Sequence, residues 1–195
     1  MSEHPPPQEA YWPDGAIFTL GHSTLPIESF MPVLQVYGIE RLVDIRTIPR
    51  SRHNPQFNKT ALAESLKAHH LEYVHFKALG GLRHPRKDSP NTGWRHEGFR
   101  GFADYMQTEE FQDALVALIG MSRRRRVGIL CAEAVPWRCH RSLVGDALLV
   151  RKIDVIDIMS ATNSRPHKLT PFAKVRGRTI TYPPEKVLAE QKELF

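Results

Sequence analysis

A chain of 195 residues with 41% hydrophobic content holds enough apolar side chains for one buried core, which excludes disorder along its whole length. Lys and Arg number 27 against 21 Asp and Glu, a net charge of +6, so the long-range field favours polyanionic partners. Two cysteines cannot frame a disulfide scaffold, no apolar run of membrane-spanning length occurs, and the N-terminus lacks a secretory-signal pattern; these features lead to the expectation of a cytoplasmic protein with free thiols.

Residues 1–14, with three consecutive prolines, read as a flexible arm, and residues 15–183 as a single α/β domain. AIFTLGHS (Ala16 to Ser23) predicts a buried strand ending in a polar turn, and PIESFMPVLQVYG a helix closed by Gly38. ERLVDIR predicts a second strand, FNKTALAESLKAHH a helix with Asn58 at its N-cap, and LEYVHF a third strand. Lys77 to Phe99 forms a long Gly-, Pro- and Arg-rich loop of the kind that carries function. GFADYMQTEEFQDALVALIGM predicts one or two helices, and the Arg123 to Arg126 run a solvated helix terminus. VGILCAE predicts a very apolar fourth strand, RCHRSLVGDALLVR a helix beginning near Arg138 or Cys139, and DVIDIMS a fifth strand. KLTPFAKVRGRTITYP reads as a terminal hairpin or an extended edge, with Gly177 at the turn.

This alternation predicts a three-layer domain: a mostly parallel sheet of about five strands, right-handed crossovers, and helices on both faces. Ligands of such sheets bind beyond the carboxyl ends of the strands. The chemically loaded clusters all fall on that edge: His22 and Ser23 after strand one, Asp44, Arg46, Arg50 and Arg52 after strand two, Gly80, Gly81 and Arg83 after strand three, and Cys131 and Glu133 after strand four.

LGHS, VDIRTIPRS, ALGGLR, FADYM and above all CAEAVPWRCHR, in this order, resemble the Domain of Unknown Function 488 family over roughly Ile17 to Ile158. The resemblance implies an α/β domain and places Asp44, Arg46, Cys131, Glu133, Cys139, His140 and Arg141 on the family's signature positions. It implies no reaction.

The chemistry is therefore argued from the residues. Cys131 and Cys139 stand eight apart with His140 beside the second, which is not structural-zinc spacing, so no metal and no cofactor is expected. A zinc deaminase pattern would need a second C-x-x-C pair, and a tyrosine-phosphatase cradle a Gly-rich loop; neither is present. Cys131 reads as a small buried residue ending a strand, whereas Cys139, flanked by Arg138, His140 and Arg141, has the positive neighbours of a reactive thiol. Asp44 and Glu133 end apolar strands and are the expected catalytic carboxylates, with His22 or His140 moving protons, although two buried ion pairs with Arg46 and Arg141 are an equal alternative. Arginine forks suit phosphate, and Trp94, Trp137 and Tyr105 offer faces for a base.

The expected function is processing of DNA or a nucleotide, such as hydrolysis of a base–sugar bond in DNA repair. A thiol-dependent enzyme or redox sensor built on Cys139, and a non-catalytic nucleic-acid-binding module, are the alternatives. Residues 184–195 form a polar tail ending QKELF, which resembles the bacterial sliding-clamp-binding peptide; the resemblance implies contacts through Gln191, Leu194 and Phe195.

Overall fold

The five apolar segments do form a parallel sheet at the centre of the molecule, and the computed structural model describes residues 12–184 around it. Strands β1 (Ile17–Gly21), β2 (Arg41–Asp44), β3 (Glu72–His75), β4 (Val127–Cys131) and β5 (Val155–Ser160) are parallel, in the order β3-β2-β4-β1-β5. A sixth strand, β6 (Asn163–Pro166), continues the sheet antiparallel to β5. The central strands β1 and β4 are buried at nearly every position because both faces are covered, which is why they read as nearly continuous apolar runs, Thr19 excepted.

Helices α1 (Ile27–Val36) and α2 (Lys59–Ala68) cover one face, bringing Phe30, Leu34, Leu62 and Leu66 onto Phe18, Leu42 and Leu130. Helices α3 (Glu97–Tyr105), α4 (Glu109–Ser122) and α5 (Arg141–Leu149) cover the other, bringing Phe102, Leu115 and Leu143 onto Ile17, Val43 and Ile129. Connections through α1 and α2 step toward the β3 edge, and those through α3, α4 and α5 step the opposite way on the opposite face, as one crossover hand requires. The neighbours β1 and β4 therefore send their chains away in opposite directions. A crevice opens between their carboxyl ends, the topological switch point of the sheet.

Several local features differ from the sequence expectations. Asn58 occupies the N-cap of α2, but its Oδ1 accepts from Ser51 N at 2.7 Å and does not cap the helix. Helix α3 begins at Glu97, inside the expected long loop. Helix α5 begins at Arg141, after a 3-10 turn over Pro136–Arg138. Trp12 lies within the expected arm, yet its ring packs edge-on against Phe18 with centroids 5.5 Å apart. The terminal hairpin forms as expected, β7 (Lys174–Arg176) and β8 (Thr179–Thr181) joined through Gly177 at φ 58°. Among the described residues no helix is long and apolar enough to cross a membrane.

A charged network ties α5 to the sheet edge. His167 Nδ1 lies 2.9 Å from Asp157 Oδ2 and Nε2 lies 3.2 Å from Asp146 Oδ1, while Tyr182 donates its hydroxyl to Asp146 Oδ2 at 2.8 Å. Burial works against the imidazolium, but the two carboxylates outweigh it and raise the His167 pKa to about 9. The folded state thus holds a proton that the unfolded chain releases near 6.5, so the stabilisation is complete below that pH and lost as pH rises through 9. We expect roughly 3 kcal/mol of unfolding free energy to disappear across this window. Urea unfolding on either side of the window checks it, and the loss should be absent in His167→Gln.

Candidate functional site

The crevice at the switch point is a cleft of about 730 Å³. Its walls come from the segments following β1, β2 and β4, from Gly81 and Leu82, and from the start of α3. Gly21 and Cys131 are in register at the ends of β1 and β4, and the ladder continues past them as His22 N donates to Cys131 O and Ser23 N to Ala132 O. Ser23 is held in the left-handed region at φ 48°, a strained position for a non-glycine residue that this pairing enforces. The chain beyond β4 crosses Gly21 so closely that a Cβ there would overlap the Glu133 carbonyl.

The two candidate carboxylates are placed very differently. Asp44 is fully buried beneath the cleft floor and does not line it. Its Oδ1 accepts from Arg46 N and Nε, and its Oδ2 from Arg46 Nη2 at 2.6 Å and from the Tyr73 hydroxyl at 2.8 Å. Burial and the Asp44 charge both push the Tyr73 hydroxyl pKa up. Burial opposes the Arg46 charge, but Asp44 more than compensates. Glu133 is exposed and is the only carboxylate among the described residues lining the cleft.

His22 is also spoken for. Its ring stacks on Phe57 with centroids 4.2 Å apart, Nδ1 donates to Ser23 O at 2.8 Å, and Nε2 accepts from Arg46 Nη1 at 3.1 Å. Burial lowers its pKa to about 4, so the ring is neutral and serves to aim Arg46. The cations open to the cleft are Arg50 and Arg138, both exposed and, within the described residues, without an ion-pair partner. Arg138, Ser51, Asn54, His96 and Phe99 also line the cleft; CAEAVPWRCHR, VDIRTIPRS and the Lys77 to Phe99 loop point to all of these but Asn54.

The two cysteines converge. Cys131 ends β4 and Cys139 precedes α5, and both thiols face His140 Nδ1, at 3.8 and 3.7 Å. The Cys131 thiol is pushed up by its hydrogen bond to Cys139 and by burial. That same bond, with Arg141 beside it, brings Cys139 down to about 7 against the effect of burial. Arg141 itself is fully buried below the cleft, donating Nη1 to Glu133 O and Nη2 to Ala134 O; no carboxylate among the described residues pairs with it.

Other expected ligand contacts lie elsewhere. The Arg83 guanidinium sits 3.5 Å from the Tyr105 ring centroid and bonds Gly80 O and Ala78 O, outside the cleft lining. Trp94 is packed among Phe99, Phe172 and Tyr182. Trp137 is 53% exposed, but with Trp94 and Arg165 it lines a separate cavity of about 320 Å³. Arg52 and Gly80 are not in the cleft wall, whereas Gly81 is. Arg123 to Arg126 cluster beside Pro13 to Gly15 and Glu40, at the amino ends of β1 and β2 and thus the opposite edge of the sheet. Gln191, Leu194 and Phe195 lie outside the described residues.

The family model described as "Domain of unknown function DUF488" matches residues 26–148, more than half of the chain. The chain belongs to the DUF488 family. The DUF488 match takes in α1 through almost all of α5, and with them Arg46, Arg50, Cys131, Glu133, Cys139 and His140; the wall formed by His22 and Ser23 lies just before it. No match was found among curated proteins or among solved structures.

Proposed function

We propose that this chain is an enzyme that holds a phosphate-bearing substrate, a nucleotide or DNA, in the strand-end cleft and hydrolyses it with Glu133 as the proton acceptor. The observation that carries this reading is the meeting, in one cleft, of two guanidinium groups and one carboxylate that have no ion-pair partner among the described residues. Guanidinium forks match phosphate oxygens, and a carboxylate free of ion pairs is able to take a proton from water. For cleavage of a base from its sugar, the water oxygen bonds to C1′ and the C1′–N bond breaks. The electron pair leaves with the base, and the proton taken by Glu133 is returned to it.

Mass spectrometry of duplexes carrying a panel of base lesions, with anisotropy of the same duplexes for binding, tests the reading. Glu133→Gln should lower turnover by about 10²- to 10⁴-fold while leaving binding intact. Arg50→Ala and Arg138→Ala should each reduce the salt dependence of binding by about one phosphate contact. Salt-dependent binding unchanged in both arginine variants, with no product released, would refute it. A second reading, thiol chemistry at Cys139, is favoured by the juxtaposition of two sulfurs and an imidazole, and full turnover in Cys139→Ser would remove it. Recruitment by a bacterial sliding clamp through Gln191 to Phe195 remains part of the proposal, and equal clamp binding after deletion of those five residues would end it.

A further inference from the structure

Cys131 Sγ, Cys139 Sγ and His140 Nδ1 all lie within 4.8 Å of one another on the inner wall of the cleft. We propose that these three atoms bind one thiophilic divalent cation, Zn²⁺ foremost, with a fourth coordination position open to the cleft.

The spacing between the ligand atoms is the first support. Bond lengths of about 2.3 Å to sulfur and 2.0–2.1 Å to nitrogen, at a tetrahedral angle, put ligand sulfur and nitrogen about 3.6 Å apart. The observed separations are 3.7 and 3.8 Å. The sulfur–nitrogen separations thus already match a shared metal position, and the two sulfurs, within 4.8 Å of each other, need only close toward the about 3.8 Å of tetrahedral ligands.

The orientation of the imidazole is the second. His140 Nε2 lies 3.0 Å from Leu79 O, and a carbonyl can only accept, so Nε2 carries the hydrogen and the neutral ring, the form that binds a metal, presents the Nδ1 lone pair to the sulfurs. A ligand histidine whose other nitrogen donates to a backbone carbonyl is the usual support of a metal site. Gly81 completes it: a Cβ at that position would overlap the His140 ring, so the imidazole reaches the sulfurs because residue 81 has no side chain.

The scaffold and the vacant direction are the third. Cys131 is fixed in a central strand, and His140 caps a helix whose first residue, Arg141, is locked to the loop after β4. Two sulfurs and one imidazole are a catalytic rather than a structural zinc set, leaving one position for water or substrate. Glu133, two residues beyond Cys131, shares the cleft toward which that position opens. Two thiolates offset the dication and make the set selective for a soft or borderline metal over Mg²⁺ or Ca²⁺. A role for the metal in activating water rests on the hydrolytic reading above; its binding does not.

The test is cobalt loading of the reduced, chelator-treated full chain. One equivalent of Co²⁺ should bind per chain, produce thiolate-to-cobalt charge-transfer bands and visible bands of tetrahedral intensity, and be displaced by Zn²⁺. The bands should weaken in Cys131→Ser and Cys139→Ser. Gly81→Ala, with all three ligands present, should weaken binding by about 10- to 100-fold. Absence of sulfur–cobalt bands in the wild-type chain, or bands unchanged in both serine variants, overturns the site. So does reduced chain that retains no metal and whose two thiols simply oxidise to a disulfide. Anisotropy with a labelled duplex or nucleotide, run on the same samples, separates the two readings. Anion binding without sulfur–cobalt bands overturns the metal site alone, and sulfur–cobalt bands without anion binding overturn the proposed substrate class alone.

Discussion

Asp44→Asn is expected to lower the unfolding free energy by about 3–5 kcal/mol, far more than an exposed carboxylate would. The carboxylate is fully buried and accepts four hydrogen bonds, three from Arg46 and one from Tyr73. Asparagine keeps the shape but brings two donors to a place where every neighbour donates, and it leaves a nearly buried guanidinium without its anion. Tyr73→Phe removes only one of the four bonds and should cost about 1 kcal/mol. Denaturant unfolding of both variants measures the effect. A catalytic Asp44 would give the opposite pattern: Asp44→Asn would unfold like wild type while turnover collapsed. If turnover instead falls only in proportion to the folded fraction, Asp44 positions Arg46 and does not touch substrate.

The same pair of carboxylates shows what the sequence could and could not resolve. The order of strands and helices is legible because Ile17 to Leu20, apart from Thr19, and Val127 to Cys131 carry no polar side chain that breaks the run, as strands covered on both faces require. The gathering of Gly21 to Ser23, Arg46 and Cys131 to Glu133 at one edge then follows from parallel pairing. Asp44 and Glu133, however, present one sequence pattern, an acid closing an apolar run. They differ because Asp44 is still inside its strand, paired with Leu130 and His75, while Glu133 stands two residues past the end of its own.

Side-chain direction was equally hidden. Adjacent residues Cys139 and His140 ordinarily diverge, and it is the 3-10 turn at Pro136–Arg138 and the Leu79 carbonyl that swing both toward Cys131. The spacing of eight between the cysteines likewise says nothing of their separation in space, because it counts residues along a chain that the fold doubles back. Strand β6 went unread because Asn163 to Pro166 is polar and ends in proline, which an edge strand tolerates and a pattern of apolar alternation does not reveal. The burial of Arg141 is not legible either, since a fully buried arginine whose Nη1 and Nη2 donate to two backbone carbonyls has no signature distinct from an exposed one.

Gly21→Ala should be the most damaging of the small substitutions, costing about 3 kcal/mol, near the upper end of the range for overpacking, and disordering the cleft. The added methyl would overlap the Glu133 carbonyl, whose oxygen is bonded to Arg141 Nη1, and Nη1 itself would stand only 2.9 Å from the methyl. No rotamer change relieves that overlap, so β1 and the segment after β4 must separate. Separation loosens the His22–Cys131 and Ser23–Ala132 hydrogen bonds and the Arg141 fork together, which moves Cys131, Cys139 and Glu133 relative to one another. Gly120→Ala supplies the internal comparison. It lies on the exposed side of α4 with nothing within 4 Å of a new Cβ, and alanine there should raise stability by about 0.5–1 kcal/mol through its helix propensity. Thermal unfolding should therefore move in opposite directions for the two variants, and only Gly21→Ala should weaken cobalt binding. Equal melting temperatures for Gly21→Ala and wild type would mean that the two strand ends are not in contact, and with that the cleft as described would lose its floor.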